Sequence, residues 1–226
     1  MQGMFYNLSS LTSIDISNFN TSSVTNMNSM FQGMSSLTSL DLSNFNTSNV
    51  LYFSETFNGM SKLTSLNLSG LNTEKVTIFY STFRELDSLE TLDLSSFSFK
   101  NVTNVQAMFY GCNNLKTLTL PDLSTNKITN MAHMFYGMSS LKNLDLSTFN
   151  TSNVTLMHSM FNGMSSITIL DLRSFNTSNV TNMSNMFYNT PVLTEIKATK
   201  GLWVVGTSTN ITDMFSYSKI SSVTLY

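Results

Sequence analysis

Apolar residues recur along this chain in two alternating patterns. The first is L-x-x-L-x-L, as at Leu141, Leu144 and Leu146, and it predicts a short strand with alternate side chains turned inward. The second places Val154, Met157, Met160, Phe161 and Met164 at i, i+3, i+6, i+7 and i+10, which is the spacing of one face of a helix. Each unit therefore predicts one strand followed by one helix of roughly eleven residues.

The predicted helix has plausible ends, although a second strand competes with it. Thr151 or Ser152 could cap its start with a hydroxyl, and Gly163 suits the left-handed residue that follows a helix. The segment Asn-Val-Thr at 153–155 also favours sheet, because Val and Thr are good strand formers. The spacing of Met and Phe favours the helix.

These units repeat every 26 residues. The leading residue of each unit marks the period: Leu11, Leu37, Leu63, Leu89, Leu115, Leu141, Ile167 and Leu193. Such a period indicates an array whose units bury their apolar faces only by stacking on one another. We predict a right-handed α/β solenoid that resembles leucine-rich repeats, with one parallel strand and one helix per unit.

The repeats divide the chain into four parts within one domain. Residues 1–10 form a partial repeat, 11–192 seven regular repeats, 193–219 an irregular eighth, and 220–226 a final strand. The partial first unit has no polar cap before it, so we expect a fragment of a longer protein, or end-to-end self-association.

Composition narrows the functional classes. Charged residues make up 11% of the chain and the formal net charge is −2, so no basic surface is expected to bind nucleic acid or anionic lipid. No apolar run is long enough for membrane insertion, and no signal peptide is recognisable at the N-terminus. The single cysteine, Cys112, replaces a core Met of other units and is expected to be buried.

Leu37–Val50, which reads LTSLDLSNFNTSNV, and Thr181–Tyr188, which reads TNMSNMFY, carry a family resemblance. They resemble the 26-residue repeat of bacterial surface proteins, a branch of the BspA-like leucine-rich repeats. The resemblance covers essentially the whole chain and implies a cell-surface or secreted protein, often an adhesin, with no catalytic residues. It implies a protein ligand, from a host or its extracellular matrix, and no cofactor.

Two sets of outward residues are candidates for binding. The first is a column on the strand face: Asp15, Asp41, Asn67, Asp93, Asp145 and Asp171, with Thr119 and Lys197 at the same position. This column could receive a basic partner or weakly held Ca²⁺. Alternatively, its carboxylates serve only to bond backbone amides. The second is a variant patch where the central units depart from the repeat: Tyr80, Arg84, Glu90, Lys116 and Lys142.

An enzyme is not expected from this sequence. His133 and His158 occupy different positions of adjacent units, so we expect them not to pair, and neither has a metal-ligand spacing. No phosphate-binding glycine loop occurs either. Non-enzymatic binding through the strand face is the favoured interpretation. A structural spacer is the alternative, and an ice- or glycan-binding surface of regular Thr, Ser and Asn is a third possibility.

Overall fold

The computed structural model describes residues 1–123 and 127–226. Short parallel strands stack from one 26-residue coil to the next and form a parallel β-solenoid of about seven turns. The strands are β1 (Ser39–Asp41), β2 (Ser65–Asn67), β3 (Thr91–Asp93), β4 (Thr117–Thr119), β5 (Ile169–Leu172), β6 (Glu195–Ala198) and β7 (Thr224–Leu225). Hydrogen bonding groups them as β1–β2, β3–β4 and β5–β6–β7.

Most strands follow the predicted leucine pattern, with the middle apolar residue of the triplet facing the core, but the predicted strand is absent at 11–16 and at 141–146. Leu40 of β1 pairs with Leu66 of β2, and Leu92 of β3 pairs with Leu118 of β4. Leu40 and Leu92 are buried, whereas their strand neighbours Ser39 and Asp41 are exposed. The alternation of side chains along a strand therefore sets which residues each coil presents to solvent.

The predicted helix is wrong. No helix occurs within 1–123 or 127–226, and Val154–Met164 instead forms three overlapping turns, in which Met160, Asn162 and Met164 each donate an N–H to the carbonyl three residues earlier. The intervening N–H groups of Met157, Ser159, Phe161 and Gly163 donate to carbonyls of the next coil at 2.9 Å. We call this stretch of each coil the turn segment.

Left-handed residues explain why the turn segment cannot be helical. Ser159 has φ 54° and Gly163 has φ 74°, and the same two positions are left-handed in coil after coil. A right-handed α-helix cannot contain such residues. The burial pattern was nevertheless predicted correctly, because Val154, Met157, Met160, Phe161 and Met164 are all fully buried.

The competing second strand is represented only by single-residue bridges. These parallel bridges run through one position near the start of successive turn segments: Asn26, Tyr52, Ile78, Asn104, Asn130, Leu156, Asn182 and Asn210.

A continuous column of phenylalanines fills the core beneath the turn segments. Neighbouring rings are 5.4–6.0 Å apart between centroids and within 17° of parallel, through Phe5, Phe31, Phe57, Phe83, Phe109, Phe135, Phe161, Phe187 and Phe215. Offset stacks of this kind add to the burial of apolar area. Each coil therefore depends on its neighbours for its core.

None of the described residues forms a helix with the length and apolarity required to traverse a bilayer.

Candidate functional site

The aspartates of the strand face close the first corner of their coils. Asp15 Oδ1 accepts the N–H of Ser17 at 3.0 Å and its hydroxyl at 2.7 Å. In the same way, Asp93 Oδ1 accepts the N–H of Ser95 at 2.9 Å, and Asn67 Oδ1 accepts the N–H of Ser69 at 3.1 Å. These are Asx-turns, in which a side chain replaces a backbone acceptor.

Two further corners of a coil use the same device with asparagine. Asn46 Oδ1 accepts the N–H of Ser48 at 3.1 Å, and Asn26 Oδ1 accepts that of Asn28 at 2.9 Å. Much of the Asn and Ser in this chain is therefore required by the backbone corners. The same structural demand applies to the Asp column.

The Asp column is not a continuous acidic stripe. Strand register places Asp41 beside Asn67, Asp93 beside Thr119, and Asp171 beside Lys197. Neutral or basic residues thus separate the acids into short groups, which limits their mutual repulsion.

Hydrogen bonds stabilise the ionised form of these carboxyl groups. The hydroxyl and then the N–H of Ser17 lower the pKa of Asp15, and the N–H of Ser43 is the main cause of the lowered pKa of Asp41. The pKa values of Asp93, Asp145 and Asp171 are also lowered by hydrogen bonds from the residue two positions later. The column is therefore charged at neutral pH.

Surface hollows recur along this column. One lies between Asp15 and Asp41, a second is lined by Asn67 and Asp93, and a third lies between Asp145 and Asp171. Oδ1 of Asp15, Asp41, Asp93 and Asp145 accepts the N–H of the residue two positions later, and all four side chains are exposed. The face thus offers spaced acceptors next to recesses.

The structure separates the predicted variant patch into two groups. Glu90, Lys116 and Lys142 are exposed in one column of the strand face, where Lys116 Nζ lies 2.7 Å from Glu90 Oε1. Tyr80 and Arg84 lie instead in a turn segment. Arg84 pairs with Glu85 at 2.8 Å, and its guanidinium carbon lies 4.4 Å from the centroid of the Tyr110 ring.

The turn segments carry an aromatic cluster that the sequence interpretation missed. Tyr110 and Tyr136 stack with centroids 4.4 Å apart and planes 5° from parallel. Arg84, Tyr110 and Tyr136 are spaced by one period, so this contact could have been found from the repeat alone.

The expectation that the two histidines do not pair is wrong. The ring centroids of His133 and His158 are 4.9 Å apart and their planes are 89° apart. Turn-segment N–H groups bond to the residue 25 positions later, and the N–H of His133 accordingly donates to the carbonyl of His158 at 3.0 Å. When the units are aligned on the 26-residue period, these two histidines fall at different positions, so the alignment does not reveal their contact.

Cys112 is buried as expected. Its Sγ donates to the carbonyl of Phe83 at 2.9 Å, and burial raises the pKa of the thiol to about 12. The thiol is therefore a core group without nucleophilic character at neutral pH.

Among solved structures, a leucine-rich repeat protein from Bacteroides ovatus is similar to this chain, with 17% identity and a TM-score of 0.52. The alignment covers 93% of this chain and 54% of that protein, so this chain spans about half of the protein it matches. The similarity supports a leucine-rich-repeat-like solenoid. No curated protein matches the chain.

A family match covers nearly the entire chain. The family described as "Mycoplasma protein of unknown function, DUF285" matches residues 1–120 and again residues 116–225. The chain belongs to the DUF285 family of Mycoplasma proteins.

Proposed function

We propose that this chain is a non-enzymatic binding module of a bacterial surface or secreted protein, of the BspA-like type. Its ligand is a host or matrix protein, which docks on the strand face. The observation that carries the proposal is the recurrence of surface hollows along the column of ionised aspartates.

Variation along an adjacent exposed column supports a recognition role. The side chains in this column carry a hydroxyl, an acidic or a basic group, although the backbone of each coil is the same. The column consists of Thr12, Thr38, Thr64, Glu90, Lys116, Lys142, Thr168 and Thr194. A constant scaffold that displays variable side chains is how solenoid proteins commonly build extended binding surfaces. The Glu90–Lys116 pair is well exposed and contributes little to stability, so its charges are available to a partner.

The charged oxygens also define the partner's chemistry. The exposed carboxylates accept hydrogen bonds and favour a ligand surface rich in Lys or Arg. Because the aspartates occur in short groups, we expect several spaced contacts on the ligand instead of one dense basic cluster.

The test is binding of the purified chain to a panel of extracellular-matrix and host-surface proteins. One variant changes Asp15, Asp41, Asp93, Asp145 and Asp171 to Asn, which removes charge and keeps the Asx-turn, as Asn67 does naturally. A second changes Glu90, Lys116 and Lys142 to Thr, the residue of Thr38 and Thr64. Saturable binding that weakens in the first variant supports docking at the Asp column. Binding that survives both changes contradicts docking on this face.

A structural spacer is the second candidate. The unbroken stack of phenylalanines supports it, because such a core resists bending between coils. A spacer has no saturable ligand, so a chain that binds no member of the panel favours this function.

A further inference from the structure

His133 and His158 form a pair whose inner nitrogens are unsatisfied. Nδ1 of each ring is shielded from solvent and has no hydrogen-bond partner among the residues that the structure describes. Buried polar atoms are normally paired with protein or water, so two unpaired nitrogens in contacting rings are available to a ligand. Both side chains are only partly buried, so a small solute can reach the rings.

The two rings are at a distance that one metal ion can bridge. A metal–imidazole bond of 2.0–2.1 Å places the ion about 3.2 Å from each ring centroid. At a tetrahedral angle two such centroids are about 5.2 Å apart, and at a right angle about 4.5 Å. The observed 4.9 Å lies between these limits, and the perpendicular planes keep the rings from clashing.

We propose that His133 and His158 form a two-imidazole site for a divalent transition-metal ion such as Zn²⁺ or Ni²⁺. The site lies on the turn segments and is independent of the strand-face function. Imidazole nitrogen is a preferred ligand of these ions.

The protonation state of the pair suits metal binding. Burial lowers the pKa of both rings, and for His133 the charges of His158 and Arg84 lower it further. A lowered pKa favours the neutral imidazole, which is the form that binds a metal ion. The positive charge of Arg84, which opposes a bound cation, is offset by its contact with Glu85 at 2.8 Å.

The site is open. No cluster of three or more His, Cys, Asp or Glu suited to a metal is present in the part of the chain that the structure describes. The remaining coordination positions are therefore left to water or to a group from a binding partner. We expect reversible binding of one ion.

Calorimetric titration of untagged, chelator-treated protein with ZnCl₂ and with NiCl₂ tests this proposal. His133→Ser and His158→Ser restore residues found at the same positions in other coils, Ser159 for the first and Ser184 for the second. Both variants should fold, which circular dichroism and thermal melting can verify. Asp15→Asn, on the strand face, is the matched control.

The expected result is one saturable site in the wild-type protein and in Asp15→Asn. Either His variant should bind at least about tenfold more weakly. The metal should raise the Tm of the wild type and shift the ring resonances of both histidines. The proposal is overturned if no saturable site is found, or if both His variants bind as the wild type does.

Discussion

The hydroxyl of Thr47 lies within the backbone hydrogen-bond ladder between two coils. It accepts the N–H of Asn72 at 2.7 Å and donates to the carbonyl of the same residue at 2.8 Å. Thr21 and Thr151 make the same two bonds to Asn46 and Asn176. One buried side chain thus satisfies both backbone groups of a residue in the next coil.

We predict that Thr47→Val lowers the free energy of unfolding by about 1–3 kcal/mol. Valine has nearly the same shape but leaves the N–H and C=O of Asn72 without partners. Urea unfolding measures the change. Thr38→Val, at an exposed threonine, should change stability by less than about 0.5 kcal/mol. Equal effects of the two substitutions would contradict this role of the buried hydroxyl.

Glu55 has φ 57° at the first left-handed position of its turn segment. We expect Glu55→Gly to be more stable than Glu55→Ala by about 1 kcal/mol, because glycine adopts this conformation without a Cβ clash. A helix predicts the opposite order, with alanine favoured by about 1 kcal/mol. Thermal or urea unfolding of the two variants therefore distinguishes turns from helix.

Acid should destabilise the fold through the strand-face aspartates. Their pKa values are lower in the folded chain than in the unfolded chain, so the unfolded state binds protons first as the pH falls. Their stabilising effect is full above about pH 4 and is lost as the pH falls through the native values. Asp87, whose pKa is raised chiefly by burial, acts in the opposite direction but is a single group.

Urea unfolding between pH 2 and pH 7 checks this prediction, since these limits lie on either side of the carboxyl titration. The variant with Asn at positions 15, 41, 93, 145 and 171 should lose less stability in acid than the wild type. Parallel pH profiles of the two proteins would show that other groups control the acid transition.

Cys112 should react slowly with thiol reagents in the native protein. With a pKa of about 12, on the order of 10⁻⁴ of the thiol is ionised at pH 8. Reaction should become fast in concentrated guanidinium chloride. The exposed variant Ser39→Cys, in a Cys112→Ser background, should react quickly without denaturant, and a similarly fast native reaction of Cys112 would refute its burial.

The sequence predicted the period, the strands and the buried residues, because side-chain burial leaves a direct pattern in the residues. The conformation of the turn segment leaves no such pattern. Its first left-handed position is occupied by Ser, Glu, Ala, His and Asn in different coils, as at Ser29, Glu55, Ala107, His133 and Asn185. Three overlapping turns also bury residues at i, i+3, i+4 and i+7, which is the helix spacing.

The candidate sites were predictable to different degrees. The Asp column lies at constant spacing, so its position on the strand face followed from the repeat. Its use in Asx-turns had been considered only as an alternative. The histidine pair depends on the offset of 25 residues between bonded turn segments, as in His133 and His158, and that offset emerges only when the backbone path is known.

The hydrogen bonds between turn segments also give the solenoid an electrical polarity. The N–H of Met157 points to the next coil and the carbonyl of Asn182 points back, and the same direction is repeated at His133 and Phe187. Aligned peptide dipoles add along an axis, as they do in an α-helix, where the N-terminal end is positive. Here the N–H groups point toward the C-terminal end, so that end of this face carries the positive partial charge, and the dipole moment grows with every coil.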